Sequence, residues 1–150
     1  MKHIVKTIIA LFTIASLCAC NDEDDKTPEP TIELTEVGHD NSKTGHPGHD
    51  LHLEANIVAE GVIRRIDIEI HQEEGSGHEI EESFTDGKYI GVKNTAFHEH
   101  IDIPADMPLG KYHLHFTVTD NEGQQSMAEC HIVIVEDDDD DEHEHEHEHI

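Results

Sequence analysis

Apolar residues recur at every second position in four separate stretches of this chain. Leu51, Leu53, Ala55 and Ile57 alternate with His52, Glu54 and Asn56, and Ile66, Ile68 and Ile70 with Asp67, Glu69 and His71. Tyr112, Leu114, Phe116 and Val118 alternate with His113, His115 and Thr117, and Ala128, Cys130, Ile132 and Ile134 with Glu129, His131 and Val133. Successive side chains of a strand point to opposite faces, so this period specifies strands with one buried and one wet face. No stretch shows a helical period with caps.

Turn signals fall between the runs: Gly75-Ser76-Gly77, Asp86-Gly87, Pro104 through Gly110, and Asp120-Asn121-Glu122-Gly123. The alternation predicts strands A at Thr31–Val37, B at Leu51–Ala59, C at Val62–His71, a short C′ or D at Tyr89–Val92, E at Thr95–Ile103, F at Lys111–Thr119 and G at Gln124–Val135. About seven short strands over residues 31–135 fit an all-β fold, an antiparallel sandwich of immunoglobulin-like type, with strand B pairing with E and F lying between C and G. With no Trp and 4% aromatic residues the chain can fill one modest core, which limits it to one small domain. Gly110 followed by Tyr112 is where such folds place a corner tyrosine, its ring in the core and its hydroxyl tied back to the backbone.

The ends differ from the centre. Lys2 and Lys6 precede an apolar run from Thr7 to Leu17 that closes on Leu17-Cys18-Ala19-Cys20, the three parts of a secretory leader over residues 1–19. Leu-x-Ala-Cys resembles the bacterial lipobox, which implies cleavage before Cys20 and a lipid anchor on its thiol and new amino terminus. Asn21, Asp22, Glu23, Asp24 and Asp25 then resemble a surface-export signal of outer-membrane lipoproteins, or form a solvated spacer. Thr27-Pro28-Glu29-Pro30 completes a stiff linker over residues 20–30. Cys130 alone remains in the mature domain, in an apolar run, and reads as a structural thiol. Residues 136–150 carry ten acids and His143, His145, His147 and His149, with no apolar residue before Ile150. Nothing there can offset the entropy of ordering, so the sequence predicts a disordered native tail.

Function is constrained first by charge. Thirty-five acidic against nine basic residues give a formal charge of −26, which repels phosphate backbones and excludes nucleic acid as a partner. Histidine is the second constraint, with eleven between His39 and His131. His46, His49 and His52 lead into strand B, His98-Glu99-His100 lies on E and His113-Leu114-His115 on F. Residues i and i+2 of a strand share a face about 6.5 Å apart, so each His-x-His can set two imidazoles over one site. His52, His98 and His100 should cluster on the first sheet, and His113 and His115, flanked by His71 and His131, on the second. Asp50, Glu54, Glu69, Glu99 and Asp102 are placed in sequence to orient the rings, and the tail histidines add mobile ligands. Neutral imidazole suits Zn, Cu and Ni. Exposed strand positions also need polar residues, and histidine supplies them without adding negative charge. No nucleophile elbow, His-Glu-x-x-His helix or phosphate loop is present, so the expectation is a binding domain rather than an enzyme.

The segments His49-Asp50-Leu51-His52, His98-Glu99-His100-Ile101-Asp102-Ile103-Pro104, and Tyr112 through Asp120 with Gly123 resemble the bacterial family of domain of unknown function 4625, lipoproteins with an immunoglobulin-like sandwich. The resemblance covers residues 31–135 and implies that fold and an envelope location, without an activity. The expectation is therefore a lipid-anchored, surface-exposed outer-membrane protein that binds divalent metal ions for capture, buffering or delivery. The alternative is a structural or adhesive module that docks to an envelope partner.

Overall fold

Burial follows the alternation residue by residue. In the computed structural model, which describes residues 27–75 and 77–137, eight strands form: β1 Thr31–Val37, β2 Thr44–Gly45, β3 Asp50–Val58, β4 Ile63–Gln72, β5 Glu79–Phe84, β6 Asn94–Asp102, β7 Gly110–Asp120 and β8 Gln125–Ile134. Leu51, Leu53, Ala55 and Ile57 of β3 are buried, while His52, Glu54 and Asn56 between them reach the surface. The same holds for β4, where Ile66, Ile68 and Ile70 are buried, and for β7, where Tyr112, Leu114, Phe116 and Val118 are buried. The leader, Cys20, most of the acidic linker, and residues 138–150 with His143, His145, His147 and His149 lie outside the described residues.

Two sheets result, one of three strands in the order β1-β3-β6 and one of five in the order β2-β8-β7-β4-β5. All pairings are antiparallel except β2 with β8. The protein is an all-β sandwich with the immunoglobulin-like arrangement expected, β3 beside β6 and β7 between β4 and β8. Phe97 of β6 meets Phe116 of β7 edge to face at 5.0 Å, joining the two sheets through the core. Phe84 and Tyr89 pack around Phe97 at 5.2 and 4.6 Å. Each such aliphatic or aromatic side chain contributes about 1.5–3 kcal/mol when buried.

Six of the seven expected strands lie within one residue of their sequence bounds. The seventh does not. Tyr89–Val92 is a turn rather than a strand, because Gly87 and Gly91 take positive φ (83° and 79°) and bend the chain around the Tyr89 side chain. The edge strand is instead Glu79–Phe84, whose alternation is masked: Ile80 and Phe84 face inward, but Glu82 occupies the inward position between them. An edge strand that carries a charge toward the rim of the core resists pairing with other chains. The short β2, paired to β8 at Thr44–Gly45, is also additional to the sequence reading.

At the base of β7, the Tyr112 ring is fully buried and its hydroxyl donates to the Pro108 carbonyl at 2.7 Å. Burial pushes the phenol above its usual value, so it stays protonated and able to donate. At the other end of β7, Asp120 accepts the N–H groups of Glu122 and Gln124 and closes the β7–β8 hairpin. Tyr112→Phe deletes the hydroxyl while keeping the ring, and it leaves the Pro108 carbonyl without its donor. Urea denaturation should show a loss of about 1–2 kcal/mol with an unchanged m-value.

Candidate functional site

The register that buries the apolar residues fixes what meets on the outside. In the β3–β6 pair, His52 lies opposite His100 and Glu54 opposite His98, and Glu36 of β1 lies opposite Glu54. Four side chains of one outer face therefore form a square of three imidazoles and a carboxylate. The His52 ring lies 4.8 Å from His98 and 5.1 Å from His100 between centroids. One ligand atom from each of the three rings falls within 4.8 Å of the others. Zn–N bonds of about 2.0–2.1 Å in a tetrahedron require nitrogens about 3.3 Å apart. His98 and His100 are half-exposed, so rotation of their side chains can close the difference.

Carboxylates hold these rings. Glu54 Oε1 stands 3.2 Å from His52 Nε2 and 3.3 Å from His98 Nδ1, and Glu36 Oε2 stands 3.8 Å from His52 Nε2. Asp50 Oδ2 lies 2.7 Å from His100 Nδ1, an orienting contact that leaves the other ring nitrogen free for an ion. The backbone of His98 is fixed from beneath: its N–H donates to the Tyr89 hydroxyl at 3.1 Å, and that hydroxyl lies 2.6 Å from both the His98 carbonyl and the Glu99 carboxylate. Glu99 thus serves Tyr89 and Lys88 rather than the imidazoles, because it points to the opposite face of β6 from His98 and His100.

The second sheet carries another row. His71, His113 and His131 lie directly opposite one another across β4, β7 and β8. The spacing of His113 and His115 suggests that they share one centre. Their rings are 6.1 Å apart, with His71 near both, but beyond His71 their partners differ. His115 Nε2 is 3.2 Å from His71 Nε2, and its Nδ1 is 3.1 Å from the Met127 sulfur. His113 instead groups with His131 and Glu73, whose ligand atoms lie within 4.8 Å of one another. His131 Nδ1 and Glu73 Oε1 are 2.5 Å apart, and the hydrogen bond from His131 holds the Glu73 carboxyl below its usual range.

His46 and His49 stand apart from both sheets' clusters. They flank Asp137, whose carboxylate lies 2.6 Å from His49 Nε2 and 3.8 Å from His46 Nδ1, so the first two residues of the expected tail contact the domain. Among the described residues, His46, His49 and His115 belong to none of the three-residue groups able to hold an ion. Alternation along the sequence does not single out Glu36 or Glu73. Glu36 sits two residues from Leu34 on β1 with its partner fixed only by register, and Glu73 lies just past the end of β4, where alternation no longer assigns a face. Cys130 is a free, half-buried thiol that burial pushes above its usual value, with Lys43 opposing, in keeping with a structural role.

Fold and surface together define a histidine-rich domain of the immunoglobulin-like class. Within that class, the chain belongs to the family described as Domain of unknown function (DUF4625), whose model matches residues 18–135. No curated protein matches the chain.

Electrostatics at the rim of β6 give a pH-dependent prediction. Burial, together with the charges of Asp102 and Glu99, pushes the Glu82 carboxyl above its usual range. Ionised Glu82 therefore costs the folded state stability above its raised value, and the cost vanishes below the unfolded carboxyl's titration near about pH 4.3, where both states are protonated. Glu82→Gln should raise the melting temperature at pH 7, with the gain shrinking to nothing as thermal melts are repeated toward pH 4.

Proposed function

We propose that this protein is an envelope lipoprotein whose sandwich binds divalent transition-metal ions, Zn, Cu or Ni, at the outer face of its first sheet. His52, His98 and His100 are the ligands, Glu54 is a fourth donor or orienting group, and Asp50 holds His100. The observation that carries the reading is the convergence of three imidazoles from two paired strands, with ligand atoms within 4.8 Å. An imidazole and carboxylate set of this kind favours these metals over Mg or Ca, which prefer all-oxygen shells. The domain is read as one that captures, buffers or hands on ions rather than as an enzyme. A lipid on Cys20 would hold it at the outer membrane, exposed at the surface, and the histidines at 143, 145, 147 and 149 would add weaker sites.

A docking module is the second reading, and one observation favours it. Among the described residues, β8 is paired along its outer edge only at Val133 and Ile134, and Met127 and Val133 on its outer face are exposed, as is Val135 just past its end. An open strand edge beside apolar side chains can accept a strand from a partner.

Calorimetry separates the two. Zn and Cu titrated into the protein lacking residues 138–150 should bind in the micromolar range, about −8 kcal/mol. His52→Ala/His98→Ala should abolish the first-sheet site, and Glu54→Gln should weaken it by about tenfold or more. Unchanged heats in the double variant would overturn the first-sheet site, and an absence of heat in the protein that keeps His52 and His98 would leave the docking reading.

A further inference from the structure

We infer that Glu73, His113 and His131 form a second metal site, different in kind from the first, in which the ion keeps one coordination position open for a small anion. The inference rests on the reading of the domain as a metal binder but uses none of the first-sheet residues.

Two imidazoles and one carboxylate come together from three places in the fold. His113 and His131 are cross-strand partners on β7 and β8, with ring centroids 4.7 Å apart. Glu73 follows the last residue of β4, and its backbone N–H donates to the Lys111 carbonyl at 3.0 Å, which fixes the point from which its side chain reaches His131. The Glu73 side chain is about one-quarter exposed and the His131 side chain largely exposed, so the site is anchored on one side and open on the other. Three protein ligands leave a tetrahedral ion one position short, which is the arrangement of metal sites that accept an outside ligand.

The surroundings of Glu73 say what that ligand would be. Glu73 also lines a cleft of about 380 Å³ with Gln72, Glu74, Gly110 and Lys111. Lys111 is a cation in a chain with few, and a metal beside it adds a second local positive charge. The pair would favour a small anion over a neutral donor, in a protein whose overall charge otherwise repels anions. The first-sheet cluster differs: it gathers three rings, and Glu54, 3.2 Å from His52 and 3.3 Å from His98, stands beside them as a fourth donor.

Cobalt(II) tests this, because its visible absorption is strong in tetrahedral and weak in octahedral surroundings and shifts when a ligand changes. The full chain is used with His52, His98, His100, His143, His145, His147 and His149 replaced by Ala, its fold checked by circular dichroism. One equivalent of Co²⁺ should saturate an absorption band that moves when azide, the probe anion, is added. Lys111→Gln should keep the cobalt band and weaken azide binding several-fold, while His113→Ala/His131→Ala and Glu73→Gln should each lose the band. A band that persists in the His113→Ala/His131→Ala variant, that never forms, or that does not respond to azide would overturn the inference. None of these outcomes bears on the first sheet, whose ligands are absent from the protein tested.

Discussion

The apolar faces of two sheets interlock across the core, with Phe97 of β6 edge to face on Phe116 of β7, and every other feature of the molecule depends on that contact. Strand side chains have a period of two, so a register slip of a single residue would turn the whole outer set of histidines and acids inward. Burial of unpaired imidazole and carboxylate would cost several kcal/mol per group. The core therefore does more than stabilise the domain: it fixes which outer residues face one another. His52 stands opposite His100, and His113 opposite His131, because Leu51, Leu53, Leu114 and Ile132 are buried on the other side of the same strands.

That coupling explains how much could be read from the sequence. Strands with clean alternation were legible to within a residue, as was the sheet topology that brought His52 to His98 and His100. The Tyr112 corner was equally legible, since its glycine, its spacing and its place before an alternating run all agree. What escaped was governed by tertiary detail. Glu82 hid β5 because an edge strand can seat a carboxylate at the rim, and Gly87 and Gly91 turned a Tyr-Ile-Gly-Val stretch away from extended backbone. His113 and His115 share a face and a neighbour in His71 but otherwise join different groups, because neighbouring strands supply Met127 to one and His131 with Glu73 to the other at positions no single-strand pattern specifies.

Scarcity of lysine and arginine gives histidine an unusual part in the electrostatics. Arg65, Lys88 and Lys93 each pair with one acid. Many of the other contacts fall to imidazole: Glu36, Asp50, Glu54, Glu69, Glu73 and Asp137 each stand between 2.5 and 3.9 Å from a ring nitrogen. A carboxylate in that position orients the ring and strengthens its other nitrogen as a donor. The acidity of the chain thus also sets the orientation of its histidine rings.

The two ends of the described chain are held at opposite poles of the sandwich. Thr27, at the start of the described residues, bonds through its side chain and backbone to Glu122 and Gln124 at the β7–β8 hairpin. Asp137, at the far end of β8, sits between His46 and His49. The ten residues of β8 separate the two ends by about 33 Å. Thr27 thus marks the hairpin pole of the sandwich, and Asp137, with its two imidazoles, marks the opposite one.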